Sequence, residues 1–302
     1  MIAAIEAYLA LRRSAGFALI NEEYWLRSFA TFAAHHREHH IHAATAIAWA
    51  SQARSLDQRD TRLKSVCRFA HFVRLEDPTH ELPPARHFAH RKVRRVPYIY
   101  ADEELERLLN AALALGPPGA LRPHTYATLI ALLSSTGLRV GEALGLRFAD
   151  LSPQGLVIRQ TKFRKSRLVP LHETTYTGLE HYLRRRRRRA RGDGCVFVTD
   201  HSQPLPYPMV HATFLKLLKA VGLDPVPGRP RPRLHDLRHR FAVRALQACP
   251  PGRGAVSQHM LALATYLGHT NIKNTYWYLE ATPELLEGIS AAGEAFYEEV
   301  MS

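Results

Sequence analysis

Apolar residues in the first 76 positions recur at helical spacing and predict a bundle of four helices. The clearest stripe follows Asn21, which we expect to cap a helix, and consists of Trp25, Leu26, Phe29, Phe32 and Ala33. A second stripe begins after Asp57 or Asp60 and consists of Leu63, Val66, Ala70 and Val73. Two shorter segments, Ile2 to Leu11 and Thr45 to Ala53, complete the bundle. The sequence therefore predicts a helical N-terminal domain over residues 1–76.

The composition changes between residues 77 and 97. This segment combines four prolines with the basic residues Arg86, Arg91, Lys92, Arg94 and Arg95. Prolines interrupt regular structure, so the segment is typical of a basic linker between two domains. Its cations are suited to contact a polyanion, and the candidates for that contact are Arg91, Lys92, Arg94 and Arg95.

Residues 98–302 predict a second domain that is mainly helical with a small antiparallel sheet. A periodic run with an acidic first turn opens at Ala101 and predicts its first helix. The runs Leu156–Gln160 and Arg167–Leu171 flank the polar stretch TKFRKS and predict a hairpin or a meander, and Val196–Thr199 predicts a third strand. Residues 284–300 alternate apolar and acidic positions, which predicts an amphipathic helix that docks onto a partner surface.

Composition and charge narrow the class of partner. The chain has 302 residues, 46% of them hydrophobic, which is enough for two domains with cores of their own. Lys and Arg number 41 against 27 Asp and Glu, and the net charge of +14 favours a polyanionic partner such as nucleic acid. Three cysteines without a paired motif favour a reducing compartment. Because neither a signal peptide nor a run of about 18 apolar residues occurs, we expect a cytoplasmic protein that does not span a membrane.

Two segments carry residues suited to phosphate chemistry. In TGLRVGEALGL, Arg139 and Glu142 lie three positions apart, where the carboxylate can orient the guanidinium. Taken alone, this spacing is more typical of an ordinary surface ion pair. In LHDLRHRFA, His235 and Arg238 share one face of a predicted helix and can present several donors to one phosphate. His239 is expected to support that helix.

The predicted hairpin adds further cations. Lys162 lies at the start of the turn in TKFRKSRLVPL. Three basic residues follow it, namely Arg164, Lys165 and Arg167. We expect them either to contact DNA phosphates or to form a solvated turn.

The stretch LGHTNIKNTYWYLE contains a histidine, His269, and two tyrosines, Tyr276 and Tyr278. On a helix, positions two apart lie about 200° apart around the axis, so the two phenols cannot reach one pocket. At most one of them is therefore a nucleophile.

Taken together, these motifs resemble the tyrosine recombinases of the phage integrase family, in the order of that family and over residues 97–282. The resemblance implies that Arg139 and Arg238 clamp the scissile phosphate, supported by Glu142 and His239. It implies the remaining catalytic roles for Lys162 as general acid on the leaving 5′ oxygen, His235 as proton acceptor or phosphate ligand, His269 as the second histidine and Tyr278 as nucleophile. By the same spacing Tyr276 serves in packing or DNA contact. No metal and no cofactor is implied.

The resemblance also implies a fold and partners. The N-terminal helices resemble a core-binding domain, and residues 98–302 resemble a mixed α/β catalytic domain whose C-terminal helix at 284–300 reaches a neighbouring protomer. Expected partners are double-stranded DNA, three further protomers in a tetramer on two DNA sites, and related recombinases of the same mobile element. A type IB topoisomerase-like enzyme and a catalytically silent DNA-binding regulator are the alternatives.

Two biased runs each have two interpretations. The run RRRRRRAR, Arg184 to Arg191, is either a solvated helix end or a contact to DNA phosphates. The run HHREHHIH, His35 to His42, spaces His35 and His39 one helical turn apart. It contains neither HExxH nor cysteines, which favours an exposed helix end over a metal site.

Overall fold

The computed structural model describes residues 1–89, 95–159, 166–189, 194–226, 228, 230–249, 253–268 and 275. The contacts of the chain divide it into two compact units, Met1–Arg94 and Arg95–Ser302. The boundary between the units falls inside the predicted linker.

The first unit contains the four predicted helices. Their bounds are α1 Ile2–Ser14, α2 Ile20–His35, α3 Ala43–Ser51 and α4 Leu56–Val73. They enclose an apolar core whose large members include Ile5, Leu26, Phe29, Trp49 and Phe69. The helical prediction for this part of the chain is confirmed.

The predicted starts of two of these helices need correction. Helix α2 begins at Ile20, with Leu19 at the capping position in a left-handed conformation, so the prediction that Asn21 caps it is wrong. Helix α4 begins before Asp57, because the hydroxyl of Ser55 accepts a hydrogen bond from the backbone N–H of Gln58 at 3.3 Å. A serine hydroxyl in this position satisfies a donor that the first helical turn leaves unpaired.

The first part of the predicted linker packs on the helical unit. Nδ1 of His80 accepts a hydrogen bond from the backbone N–H of Ile41 at 3.0 Å, and the carboxylate of Glu81 accepts one from Ala43 at 2.6 Å. The thiol of Cys67 donates to the carbonyl of Pro83 at 3.3 Å. Residues 80–83 are thus an ordered extension of the bundle.

The second unit is built around one buried helix. Its helices are α5 Asp102–Leu113, α6 Arg122–Thr136, α7 Val140–Leu144, α8 Glu173–Arg189, α9 Tyr207–Ala220, α10 Leu234–Gln247 and α11 Arg253–Leu267. Helix α6 packs against α5, α8 and α10. The predicted helix after Ala101 is confirmed, and the Glu104 carboxylate accepts a hydrogen bond from the Ala101 N–H at 2.9 Å.

A three-stranded antiparallel sheet follows α7. Its strands are β1 Leu151–Ser152, β2 Gly155–Ile158 and β3 Arg167–Val169, in the order β1–β2–β3. The predicted hairpin is confirmed, with Val157 opposite Leu168. The predicted third strand at Val196–Thr199 is wrong, since Val198 makes only an isolated bridge to Pro204. Its apolar residues fill the core as an irregular segment.

The six-arginine run forms the end of α8. Arg184, Arg185, Arg187 and Arg188 are exposed, whereas only 1% of Arg186 is exposed. Arg186 Nη2 donates to the carbonyl of Cys195 at 3.3 Å, and its guanidinium lies over the ring of Phe148. The run is therefore not a uniformly solvated helix end, because one of its arginines is a core residue.

Two further expectations concern the chain as a whole. The predicted C-terminal helix at 284–300 lies outside the described residues. Within the described parts of the chain, no helix is both long and apolar enough to cross a membrane.

Candidate active site

Arg139 is positioned by the start of a short helix. It lies at the capping position of α7, and its backbone N–H donates to Oε2 of Glu142 at 3.0 Å. Its guanidinium Nη1 donates to Oε1 of the same carboxylate at 2.8 Å. The predicted pair is thus present, but Glu142 is only 11% exposed while 37% of the Arg139 side chain remains exposed. A buried carboxylate therefore holds a guanidinium that still reaches solvent.

Glu142 is shared between two arginines. Arg167 on β3 donates from Nη1 to Oε1 at 3.0 Å and from Nη2 to Oε2 at 2.8 Å. Burial raises the pKa of Glu142, but the hydrogen bonds from Arg167 and from the Arg139 backbone outweigh it and lower this pKa to about 2. Glu142 is consequently ionised at any physiological pH.

Arg238 is held by the ends of two other helices. It lies on α10 and is 2% exposed. Its Nη1 donates to the carbonyl of Gly137 at 2.7 Å, just past α6, and its Nη2 donates to the carbonyl of Leu267 at 2.7 Å, the last residue of α11. Gly137 has φ +59°, and a Cβ there would lie 2.5 Å from the ring of Phe241. Glycine is required at this helix end for both reasons.

Three arginines bind three consecutive carbonyls at the end of α11. Arg167 Nε donates to Tyr266 at 2.8 Å, Arg238 Nη2 to Leu267 at 2.7 Å, and Arg139 Nη2 to Gly268 at 3.3 Å. The last carbonyls of a helix lack partners within the helix, and cations are favoured at this negative end of its dipole. The arginines therefore converge on the end of α11, immediately before His269.

His235 lies in the first turn of α10 beside these arginines. Removal from solvent by the surrounding protein, and then the positive charges of Arg238, Arg233 and Arg139, lower the pKa of His235 to about 4, although the residue keeps an exposed face. The imidazole is thus neutral at pH 7. The ring of His239 packs edge-on against it, with 4.8 Å between centroids.

An ion pair that the sequence did not suggest anchors the start of α10. Asp236 is completely buried and accepts hydrogen bonds from Arg233 at 2.8 and 3.2 Å. Burial raises the pKa of Asp236, and the positive charges of Arg233 and Arg95 act in the opposite direction. Arg95, one of the predicted DNA contacts, is exposed and lies near enough for its charge to lower the pKa of Asp236.

Arg167 was predicted to contact DNA or to lie in a solvated turn, but the structure directs it into the protein. Its side chain is 12% exposed and directed at Glu142 and Tyr266. Several predicted site residues lie outside the described residues, namely Arg91, Lys92, Arg94, Lys162, Arg164, Lys165, His269, Tyr276 and Tyr278. In the part of the chain that the structure describes, no group of three His, Cys, Asp or Glu side chains is placed to hold a metal ion.

The described geometry is suited to one kind of chemistry. The guanidinium groups of Arg139 and Arg238 bind neighbouring carbonyls, and a neutral imidazole lies beside them. Such an array of fixed donors stabilises an oxyanion, and a phosphate diester is an oxyanion that arginine recognises well.

Comparison with known proteins agrees with this chemistry. Residues 99–284 match the sequence model of the phage integrase family. The y4rB protein of Sinorhizobium fredii, which is named as an integrase/recombinase, is 37% identical over 294 residues, covering 94% of this chain and 94% of that protein. The tyrosine recombinase XerD of Xanthomonas campestris is 30% identical over 261 residues, covering 81% of this chain and 74% of XerD.

Solved structures share the fold. The XerH site-specific recombinase in a post-cleavage complex with a palindromic difH substrate matches with a TM-score of 0.65 at 19% identity, over 96% of this chain and 84% of XerH. A lambda integrase fragment bound as a dimer to a COC′ core site matches with a TM-score of 0.65 at 18% identity, over 92% of this chain and 94% of the fragment. The chain therefore belongs to the phage integrase family and is an enzyme of the tyrosine-recombinase class.

Proposed function

We propose that the enzyme cuts and rejoins double-stranded DNA through a 3′-phosphotyrosyl intermediate on Tyr278, on behalf of a mobile genetic element. The observation that carries this proposal is the convergence of Arg139 and Arg238 on consecutive carbonyls at the end of α11, beside the neutral ring of His235. His269 follows directly in the chain, and Tyr278 lies nine residues after it.

The two clamp arginines supply charge where the reaction needs it. When an oxygen attacks a phosphodiester, negative charge builds on the nonbridging oxygens, and fixed guanidinium groups stabilise that state more than the ground state. Arg139 is suited to this role because Glu142 fixes its orientation while part of its side chain stays exposed. Loss of one clamp arginine is expected to slow cleavage roughly 10²- to 10³-fold, by analogy with other oxyanion donors.

In the remaining steps protons are transferred, and the energy of the broken phosphodiester bond is kept in the phosphotyrosine bond. The Tyr278 oxygen forms a bond to phosphorus while the bond to the 5′ oxygen breaks, and Lys162 donates a proton to that leaving oxygen. His235, which is neutral before the reaction, either accepts the phenol proton or donates a hydrogen bond to a phosphate oxygen. A 5′ hydroxyl of a second strand then attacks the phosphotyrosine, the bond from phosphorus to the Tyr278 oxygen breaks, and the proton released by the hydroxyl restores the phenol. Joining therefore requires no external energy source.

The proposed partners follow from the net charge of +14 and from the relatives. A transposon integrase of Tn1549 solved with circular intermediate DNA, with a TM-score of 0.62, shares this fold and is an integrase of a mobile element. Four protomers on two DNA sites exchange strands, with residues 284–300 docking on a neighbour, and related recombinases of the same element are further candidate partners. The site of action is then the nucleoid in the cytoplasm.

The test uses a plasmid that carries two copies of the DNA flanking the gene of this enzyme. We expect the purified enzyme to delete or invert the intervening segment, and to leave a plasmid without the flanking DNA unchanged. Relaxation of both plasmids, without exchange products, would favour the topoisomerase-like alternative. Binding of the flanking DNA with neither outcome would favour a silent regulator.

A further inference from the structure

Arg167 uses all three of its nitrogen atoms on protein groups. Nη1 and Nη2 form a bidentate pair with the Glu142 carboxylate, and Nε donates to the carbonyl of Tyr266. Only 12% of the side chain is exposed. Each nitrogen of this guanidinium already contacts a protein group, so Arg167 can act on the reaction through the groups that it touches.

The first of these groups is Glu142, and the effect there is one of charge. Two arginines share one carboxylate, so the cluster of Arg139, Glu142 and Arg167 keeps one net positive charge for an incoming phosphate. Without Arg167, the carboxylate has Arg139 as its partner from this cluster, and the charge of that pair cancels. The pair then attracts a phosphate less strongly, because an adjacent cation and anion together exert a weaker field on a third charge than the cation alone.

The second group is the end of α11, and the effect there is one of position. Gly268 has φ +67°, and a Cβ on it would lie 3.0 Å from Nη1 of Arg167. The guanidinium therefore packs closely on the backbone of Gly268 while Nε holds the carbonyl of Tyr266. These contacts connect strand β3, which follows Lys162 in the sequence, to the residues that lead into His269.

We infer that Arg167 is a positioning residue for strand cleavage, which keeps Arg139 cationic toward the phosphate and fixes the end of α11 relative to the hairpin. The inference rests on the proposed function. It assigns to Arg167 a role mainly in the rate of the covalent step, because one weakened phosphate contact among the many along a duplex changes affinity little.

The experiment compares single-turnover formation of the covalent adduct on a nicked duplex made from DNA flanking the gene. The variants are Arg167→Met, Arg167→Lys, Glu142→Gln, and Arg167→Met combined with Glu142→Gln, all in the full chain. Arg107→Met is the matched control, because Arg107 is exposed on α5 and its loss changes the net charge equally. Affinity for the same duplex and the urea midpoint of unfolding are measured in parallel.

We expect Arg167→Met to slow adduct formation roughly 10²-fold, with affinity changed no more than about threefold. Lysine restores the charge but not the bidentate geometry, so Arg167→Lys should form the adduct about tenfold faster than Arg167→Met. In the Glu142→Gln background the same substitution should have a much smaller effect, because no carboxylate is left to neutralise Arg139. This background also keeps the test valid if Arg167→Met alone folds poorly.

The inference is overturned if Arg167→Met folds and forms the adduct at the rate of Arg107→Met. It is equally overturned if the loss appears entirely in affinity, or if the effects of the two substitutions are additive. A wild-type enzyme that forms no adduct on any flanking duplex contradicts the proposed function itself, and the inference with it.

Discussion

Nη2 of Arg139 lies 3.3 Å from the carbonyl oxygen of Gly268, the residue immediately before His269. A side chain suited to bind the scissile phosphate thus contacts the backbone that leads into the segment carrying Tyr278. A phosphate that attracts Arg139 competes for or reorients this contact. Binding of DNA and the position of that segment are therefore expected to be linked.

The first prediction concerns Gly268. Replacement by alanine strains a left-handed backbone and brings Cβ within 3.0 Å of Arg167. We expect Gly268→Ala to lower the free energy of unfolding by about 1–2 kcal/mol, measured by urea denaturation, and to slow adduct formation. Gly178→Ala is the control, because it lies inside α8 and its Cβ would meet no atom within 4 Å. The control should be neutral or slightly stabilising, and equal losses in both variants would contradict the account.

The second prediction concerns acid stability. The pKa of Glu142 is lowered from 4.5 to about 2 in the folded protein, so its ion pairs contribute fully above about pH 4.5 and are lost as the pH falls toward 2. This contribution is on the order of 3 kcal/mol. Glu142→Gln should remove that part of the pH dependence, as measured by urea unfolding at pH 6, 4 and 3. If the free energies of unfolding of the wild type and the variant differed by the same amount at all three pH values, the lowered pKa of Glu142 would be contradicted.

The third prediction concerns the titration of His235. Its pKa of about 4 lies below the ordinary value of 6.5, so between these values the unfolded chain binds a proton that the folded protein does not. Stability should accordingly fall as the pH decreases from about 6.5 to 4. In NMR spectra, the ring signals assigned by comparison with His235→Asn should not titrate above about pH 5, and bound DNA phosphate should raise the pKa. A midpoint near 6.5 without DNA would contradict this environment.

The fourth prediction concerns the chain beyond Pro283. If residues 284–300 dock on a neighbouring protomer, their deletion should abolish cooperative assembly on a two-site DNA and leave binding to one site nearly unchanged. Electrophoretic titration of the full chain and of the truncated chain distinguishes these effects. Unchanged cooperativity would assign the assembly contacts to other surfaces.

The elements that could be predicted from the sequence are those whose apolar residues recur at the regular spacing of a helix or of a strand. The helices after Ala101 and Leu234 and the hairpin of β2 and β3 belong to this group. The run Val196–Thr199 was misassigned because a short, fully buried apolar segment has the same pattern whether it is a strand or an irregular part of the core.

The inward orientation of two arginines was not predictable. Arg167 reaches Glu142 and Tyr266 from 25 and 99 residues away along the chain, and such contacts leave no local pattern. In a run of six arginines, nothing in the composition distinguishes Arg186, which the structure buries over Phe148. Gly137 and Gly268 could have been found, since glycine directly after a helix is a common termination signal.

The central claim is that Tyr278 attacks the scissile phosphate held by Arg139 and Arg238. The most direct measurement is trapping of the covalent adduct on a nicked duplex of flanking DNA with the wild-type enzyme, Tyr278→Phe and Tyr276→Phe. We expect the adduct to form with the wild type and with Tyr276→Phe and to disappear with Tyr278→Phe, which should still bind the duplex. An adduct that persists in Tyr278→Phe and vanishes in Tyr276→Phe would contradict the claim.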